Sequence, residues 1–448
     1  MADTAPKLKF LDAALLGIVA NIGLRWLPVA AAVGPAAFPL WILALVTFFV
    51  PLAAAAMELT DQYKGDGGLY VWVRETYGPL PAFLCGWFYW FALMPYLAGI
   101  LYFLVGLLMA VVGADPHNTL FYVTLCLAIG TLVGALQIGG LGVGKWLTNL
   151  GATGNWLIFF LIIGAALLLI GHGASATHFA TSSYLPQVNF DTAILWGTIV
   201  FAFSGVEGMA FLRDDVEGGA RTVVRVIVVV GIASAVIYIL GTAAMLVILP
   251  QSALTRLGGF ADALHATFAH AGWPMLAAVA IGMLALSQLG GFTAWFGIGT
   301  RLPMSAGIDN FLPPIFARRN PKTGAPVPAI LLQGGLMLFM VALGAAGSST
   351  AAAYDFLVSM SVLTNTICYV FVFAVYLKVQ RSGAWGLIVG VVGEITTLVA
   401  IGCTLIPGAS DPHPMATFLK IAISTLVMAV VGLILYWLGT RRKAALAA

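Results

Sequence analysis

An arginine and a glutamate lie inside long apolar runs, each beside glycine: NIGLRWLP at 21–28 and FSGVE at 203–207. Arg25 is the only charge between Ala13 and Met57, and Glu207 the only one between Thr192 and Leu212. Arginine does not give up its proton in a protein, so Arg25 stays charged and needs an anion, a cavity or carbonyl oxygens around it. Desolvation disfavours the charged form of a buried carboxyl, so Glu207 can take up and release a proton in response to pH or substrate. That chemistry suits gating and proton coupling. The plainer readings are a snorkelling arginine and a structural carboxylate bonded to unwound backbone. Arg25 lies about 22 Å along a helix beginning at Phe10, too deep for easy snorkelling. Three roles stay open for it: replacing a metal cation between the first and eighth helices, pairing with Glu207, or touching an anionic substrate group.

The elements that hold these residues follow from composition. Of 448 residues, 61% are hydrophobic and 8% charged, and the mean hydropathy is +1.02. A soluble domain carries roughly 25% charged residues, so this is an all-α polytopic membrane protein in contact with a lipid bilayer. Runs long enough to cross a bilayer fall near 10–32, 37–59, 81–112, 119–139, 147–171, 191–212, 224–249, 273–304, 327–346, 353–378, 384–407 and 415–440. The first run is too long for a signal-peptide core and is read as retained. With the N-terminus inside, the internal segments hold seventeen Lys and Arg residues and the external ones only Arg256 and Lys420. This bias places both termini in the cytoplasm and the chain in the cytoplasmic membrane. Segment 65–78 reads as an amphipathic inner segment and 251–273 as an outer one, each a surface helix, a lid or a plain loop.

Most spans are ordinary, but GIVANIGLRWLPVAAAVGP (17–35) and IVFAFSGVEGMAF (199–211) are interrupted, and they open successive five-helix blocks. Backbone groups freed by a break cannot face lipid, so paired breaks point to a midplane transport site between inverted repeats. Half-helix N-termini offer N–H groups to a carboxylate, and exposed carbonyls accept from an ammonium. An amino acid or amine is the natural ligand.

The chain resembles the amino acid–polyamine–organocation family of transporters over nearly its whole length. Besides the two breaks, the likeness rests on GGLYVWVRETYGPLPAFLCGWFYW (67–90), FSGVE with DDVEGGARTVVR (214–225), and LGGFTAWFGIGTRLPMSAGIDNFLPPIFARRNPKTGAPVPA (289–329). It implies a single domain of leucine-transporter-like five-plus-five repeats, about 10–171 and 191–378, with accessory helices at about 384–440. By analogy with the bacterial arginine/agmatine antiporter, the resemblance implies a site made by Asn21, Ile22, Gly23, Leu93, Leu97, Phe201, Ser204, Gly205, Phe292 and Ser361. Phe201 matches an aromatic gate and Glu207 a glutamate of that relative. Three departures stand out. The glycine-serine-glycine of the first helix becomes Asn21-Ile22-Gly23, the fifth-helix lysine of some proton-coupled relatives is missing from TGNWLIFF (153–160), and the proline pair after the sixth helix is replaced by Gly219 and Val224.

Other candidates carry less. Glu394 reads as packing or a dimer contact, and Asp355 and Glu58 as helix-end residues; a monomer and a homodimer are both compatible with the sequence. His172, His178, His265 and His270 lack metal-site spacing, and no cofactor is implied. GGLGVGKW (139–146) imitates a phosphate loop, but Trp146 stands where Ser or Thr is needed and no strand precedes it. Cys85, Cys126, Cys368 and Cys403 sit in apolar runs as packing residues. No constellation supports an enzyme, and the net charge of +3 reflects topology rather than nucleic-acid binding. The sequence therefore predicts a sodium-independent secondary transporter of an amino acid or related amine, working by proton symport or exchange, with a polyamine exchanger as the alternative. A non-transporting sensor on the same fold is the reading from another class. The apolar candidates Leu93, Leu97, Phe201 and Phe292 favour a neutral or aromatic-aliphatic amino acid.

Overall fold

The computed structural model describes residues 7–63, 68–139, 142–187, 189–213, 216–304, 311–321, 323–406 and 414–447. The imitation phosphate loop, parts of 214–225 and of 289–329, and the side chains of 140–152 and 301–310 lie outside the described residues. Helices account for the fold, and among the described residues the sole extended pairing is a bridge between Leu8 and Val216.

Among the described residues, ten helical segments are long and apolar enough to cross a membrane. In chain order the helices are α1 (Phe10–Asn21), α2 (Trp26–Ala31), α3 (Ala37–Ala44), α4 (Val50–Gln62), α5 (Gly68–Tyr77), α6 (Pro79–Val112), α7 (Thr119–Gly139) and α8 (Gly142–Gly171). They continue as α9 (Phe190–Ala202), α10 (Ala220–Ile248), α11 (Gly259–His270), α12 (Met275–Met304), α13 (Val327–Ala345), α14 (Thr350–Val379), α15 (Gly383–Thr404) and α16 (Pro414–Ala447). A π-turn at Leu45–Phe49 joins α3 to α4 in one span; Pro51, which has no N–H to give to the Thr47 carbonyl, follows it. The apolar segments 10–31 and 190–212 are the interrupted ones.

The central pair is α6 and α14, whose apolar windows are 67% and 78% buried, whereas that of α16 is 11% buried. α6 and α14 run antiparallel along a seam of small side chains that lets the backbones approach. The Cys368 thiol reaches the Cys85 carbonyl at 3.4 Å, and the Ser361 hydroxyl reaches the Ala92 carbonyl at 3.4 Å. These pairings, seven residues apart on each helix, set the register. On the outside, large apolar side chains such as Met275, Leu120 and Leu168 stand exposed, as a lipid-facing surface requires.

Both non-spanning segments hold helices. α5 buries Leu69, Trp72 and Val73 against the bundle, and α11 buries Phe260, Ala261, Ala263 and Leu264 against α10, α12 and α2. At the end rich in basic residues, Arg213 donates to the carbonyls of Thr60 and Tyr63, and the Glu58 carboxylate accepts from the Arg381 amide and the Ser382 hydroxyl. Glu58 thus closes a helix-end network, as its place in the sequence suggests. Asp355 instead pairs with Arg256 at 3.5 Å at the opposite end.

Candidate functional site

The two interruptions form for local reasons. Pro28 cannot donate to the Leu24 carbonyl, so a helix entering from α1 cannot run through; Ile22 is extended, and Leu27 bonds the Leu24 carbonyl in a tight turn that starts α2. In the second segment, Gly205 has φ +104°, a conformation that glycine adopts without strain, and the chain resumes as a 3-10 stretch at Val206–Leu212. A Cβ at Gly205 would lie 2.6 Å from the Asn21 Oδ1, so glycine also lets the two breaks meet.

Tyr238 of α10 ties them together. Its hydroxyl lies 3.0 Å from the Ala202 carbonyl and 3.1 Å from the Asn21 carbonyl, and accepts the Gly23 N–H at 3.3 Å. The ring stacks on Trp41 at 4.6 Å, and Trp41 donates to Thr242. One buried side chain therefore serves backbone groups of both broken helices, which lipid could not.

A cavity opens where the breaks meet. Asn21, Ser204, Gly205, Glu207, Ser361 and Asn365 form its polar wall; Trp26, Tyr89, Tyr96, Phe201 and Trp295 form its aromatic wall, with Ala92, Leu93 and Ala202 between. Phe201 packs edge-on to Trp26 at 5.7 Å and to Tyr96 at 6.1 Å, and Tyr96 meets Trp295 at 5.9 Å.

Glu207 is fully buried and well supplied with donors. Its carboxylate accepts the Gly205 N–H at 2.9 Å and the Tyr369 hydroxyl at 2.9 Å, with the Tyr89 hydroxyl also in hydrogen-bonding range. Asn365 continues the network to Tyr369 at 3.0 Å and Ser204 at 3.4 Å. Asn21 Oδ1 in the polar wall is buried and has no hydrogen-bond partner among the described residues.

Arg25 lies elsewhere. Its guanidinium is 4.3 Å from the Trp26 ring centroid and 4.4 Å from that of Tyr96, and the residue is 3% exposed. It forms no ion pair with Glu207, and its Nη1 lies 3.8 Å from the position a Cβ would take at Gly99 of α6. The aromatic wall separates the two charges.

Of the residues singled out from sequence, Asn21, Leu93, Phe201, Ser204, Gly205, Glu207 and Ser361 line the cavity. Ile22 instead lines a small, mostly apolar pocket with Asn155, Trp156 and Phe159. Gly23 acts through its backbone on Tyr238. Leu97 and Phe292 are fully buried behind the cavity wall, and Tyr96 and Trp295 take the facing positions. On α6 the cavity-facing set is 89, 92, 93 and 96, one stripe of the helix. Asn365, one turn after Ser361 in an apolar run, was also a visible signal. Among the described residues no group of three or more His, Cys, Asp or Glu could hold a metal ion.

A model of the family described as amino acid permease matches residues 8–433. The chain is 26% identical to an uncharacterised transporter of Legionella pneumophila over 82% of its length and 80% of that protein's. It is 22% identical to a probable agmatine/putrescine antiporter of Lactococcus lactis, covering 90% of this chain and 88% of that one. A glutamate/gamma-aminobutyrate antiporter of the same species is 23% identical, with 88% and 83% covered. Among solved structures, a manganese transporter of Eremococcus coleocola, crystallised with an aromatic bis-isothiourea substituted compound, is similar with a TM-score of 0.56 at 14% identity, covering 95% of this chain and 92% of that one. That likeness concerns the fold.

Proposed function

The chain belongs to the amino acid permease family, and from that premise we propose a sodium-independent secondary transporter that carries an amino acid or related amine by proton symport or exchange. It is a membrane transporter and not an enzyme. The observation that carries the reading is the cavity at the meeting point of the two broken helices, polar on one wall and aromatic on the other.

The substrate ammonium is read as bound by Asn21 Oδ1, an acceptor in the wall with no partner among the described residues, together with unwound carbonyls of the first break. Glu207 already accepts from its own neighbours, so its part is to take a proton when those donors rearrange, not to grip the cargo. The Trp26, Tyr96, Phe201 and Trp295 rings close over a neutral or aromatic-aliphatic side chain, and π faces also suit an ammonium. Alternating access then moves the helices around a fixed cavity.

In this reading α1 with α2, and α9 with Val206–Leu212, each count as one crossing, giving twelve with the ten long helices. Residues 10–171 and 191–378 form the inverted repeats, and 384–440 the accessory helices. The basic end faces the cytoplasm and carries both termini, by the distribution of Lys and Arg. A thermal-shift screen of amino acids and polyamines on the purified protein tests the site, because a ligand stabilises by RT ln(1 + [L]/Kd). Stabilisation by an amino acid or amine that Phe201→Ala weakens is expected; indifference to every compound would count against the reading.

A further inference from the structure

Three consecutive cations, Arg441, Arg442 and Lys443, stand near the end of α16, and among the described residues none of them has a carboxylate partner. They are nevertheless held in place. The Arg441 guanidinium lies 3.6 Å from the Trp437 ring centroid, the Lys443 ammonium lies 3.8 Å from that of Phe311, and Arg442 donates to the Leu312 carbonyl at 3.1 Å. The Phe311 ring in turn packs on Tyr436 at 4.6 Å and on Phe83 at 5.5 Å, and a Cβ at Gly439 would come within 2.6 Å of the Phe311 backbone, so α16 and this loop are in close contact. Lys420, near the other end of α16, is served differently: it donates to the Ala346 carbonyl and the Ser348 hydroxyl. Arg441 and Lys443 have only ring faces, so their N–H groups remain open to an acceptor from outside the chain.

The same helix is the span least covered by protein, with 11% of its apolar window buried. Val430, Ile434, Trp437 and Leu438 are exposed at helical spacing along one face, and Arg441 is the exposed residue that ends the stripe. At 1.5 Å per residue the stretch from Val430 to Arg441 covers about 16 Å, close to half of a hydrocarbon core of about 30 Å. One leaflet's acyl chain therefore matches the stripe in length, with Trp437 at the depth where aromatic residues meet headgroups and Arg441 beyond it, at the depth of the phosphate. From this arrangement we propose that the end of α16 is a binding surface for one anionic phospholipid. Its acyl chain lies on the face from Val430 to Leu438, and its phosphate accepts charge-assisted hydrogen bonds from the Arg441 fork. Lys443 and Arg442 add positive charge that no carboxylate among the described residues offsets, which favours a headgroup of net negative charge over a zwitterionic one. The surface stands whether or not the cavity transports.

The test titrates the full-length protein in detergent with dioleoyl phosphatidylglycerol or dioleoyl phosphatidylcholine. Lipid retained per protein is counted by native mass spectrometry, and melting without lipid checks the fold of each variant. The double variant Arg441→Gln with Lys443→Gln removes the two cations that rest on ring faces; Arg441→Gln alone serves if the double variant does not fold. Arg221→Gln with Arg225→Gln is the control, since it removes two exposed cations from the start of α10, at the same basic end. Wild type is expected to retain one phosphatidylglycerol in preference to phosphatidylcholine. The α16 double variant should raise the half-saturating phosphatidylglycerol concentration roughly ten- to thirtyfold, the effect of two cations at a charged surface, and the single variant about threefold to tenfold, with phosphatidylcholine unaffected. The control should keep the wild-type preference. Equal retention of the two lipids by wild type would leave these cations to the dipole at the helix end and overturn the proposal. An equal loss in the control would reduce it to the general field of the basic end, and displacement of phosphatidylglycerol by inorganic phosphate at equal concentration would assign Arg441 to a free anion; either result overturns the lipid surface.

Discussion

Removing the Tyr238 hydroxyl by Tyr238→Phe strikes both breaks with one atom. The hydroxyl gives its proton to the Ala202 or the Asn21 carbonyl and accepts the Gly23 N–H, at 3.0, 3.1 and 3.3 Å. One proton serves one carbonyl at a time, so the variant loses one donated and one accepted bond. Each buried polar group left unsatisfied costs about 1–3 kcal/mol, and the pair together roughly 2–4 kcal/mol once weak geometry is discounted. At about 1.4 kcal/mol per tenfold, that shifts the balance between alternative arrangements of the breaks by roughly 30- to 700-fold. Phenylalanine keeps the stack on Trp41, so packing is preserved. The assay is initial uptake by proteoliposomes of the best ligand from the thermal screen, alongside melting of the detergent-solubilised protein. Tyr122→Phe is the control, since the Tyr122 hydroxyl bonds the Tyr102 carbonyl of α6 outside the cavity. Both variants should melt at lower temperature, but only Tyr238→Phe should change KM and flux. Wild-type uptake in Tyr238→Phe would refute the reasoning that this hydroxyl holds the substrate-binding conformation of the two breaks.

Further outcomes follow from the cavity walls. Glu207→Gln keeps an acceptor for the Gly205 N–H, so it should fold, and it should flatten the pH dependence of uptake because the amide cannot titrate. An unchanged pH profile would remove Glu207 from coupling. Trp295→Ala should raise KM about three- to thirtyfold, the range of a lost π contact, with modest loss of stability. Phe292→Ala should do the reverse, losing about 3–5 kcal/mol of stability with little change in KM, since Phe292 is fully buried behind the wall. Equal KM effects in those two variants would show that the assigned helix phase is wrong.

Much of the architecture was open to reading because hydropathy and turn residues act locally. Segments expected at 119–139 and 327–346 are the helices Thr119–Gly139 and Val327–Ala345, and the breaks fall at Ile22–Arg25 and Phe203–Gly205 as glycine and Pro28 require. The site was harder, for a physical reason. Which face of a uniformly apolar helix meets the cavity is decided by packing rather than by amphipathic pattern, and so Tyr96 and Trp295 line the cavity while Leu97 and Phe292 do not. The donors that engage Glu207 come from α6 and α14, and the hydroxyl that closes both breaks comes from α10. No local signal links such distant residues. The isolation of Arg25 from Glu207 was hidden too, since it follows from the aromatic wall that folds between them.

The central claim is that the cavity at the two breaks carries an amino acid or amine across the membrane. Counterflow in proteoliposomes loaded with the unlabelled compound that best stabilises the protein measures this directly, with wild type beside Asn365→Leu, which removes the link between Ser204 and Tyr369. The account predicts accumulation of external labelled compound by wild type and loss of it in the variant. Tight binding to wild type with no counterflow would contradict it and mark the protein as a sensor built on a transporter fold.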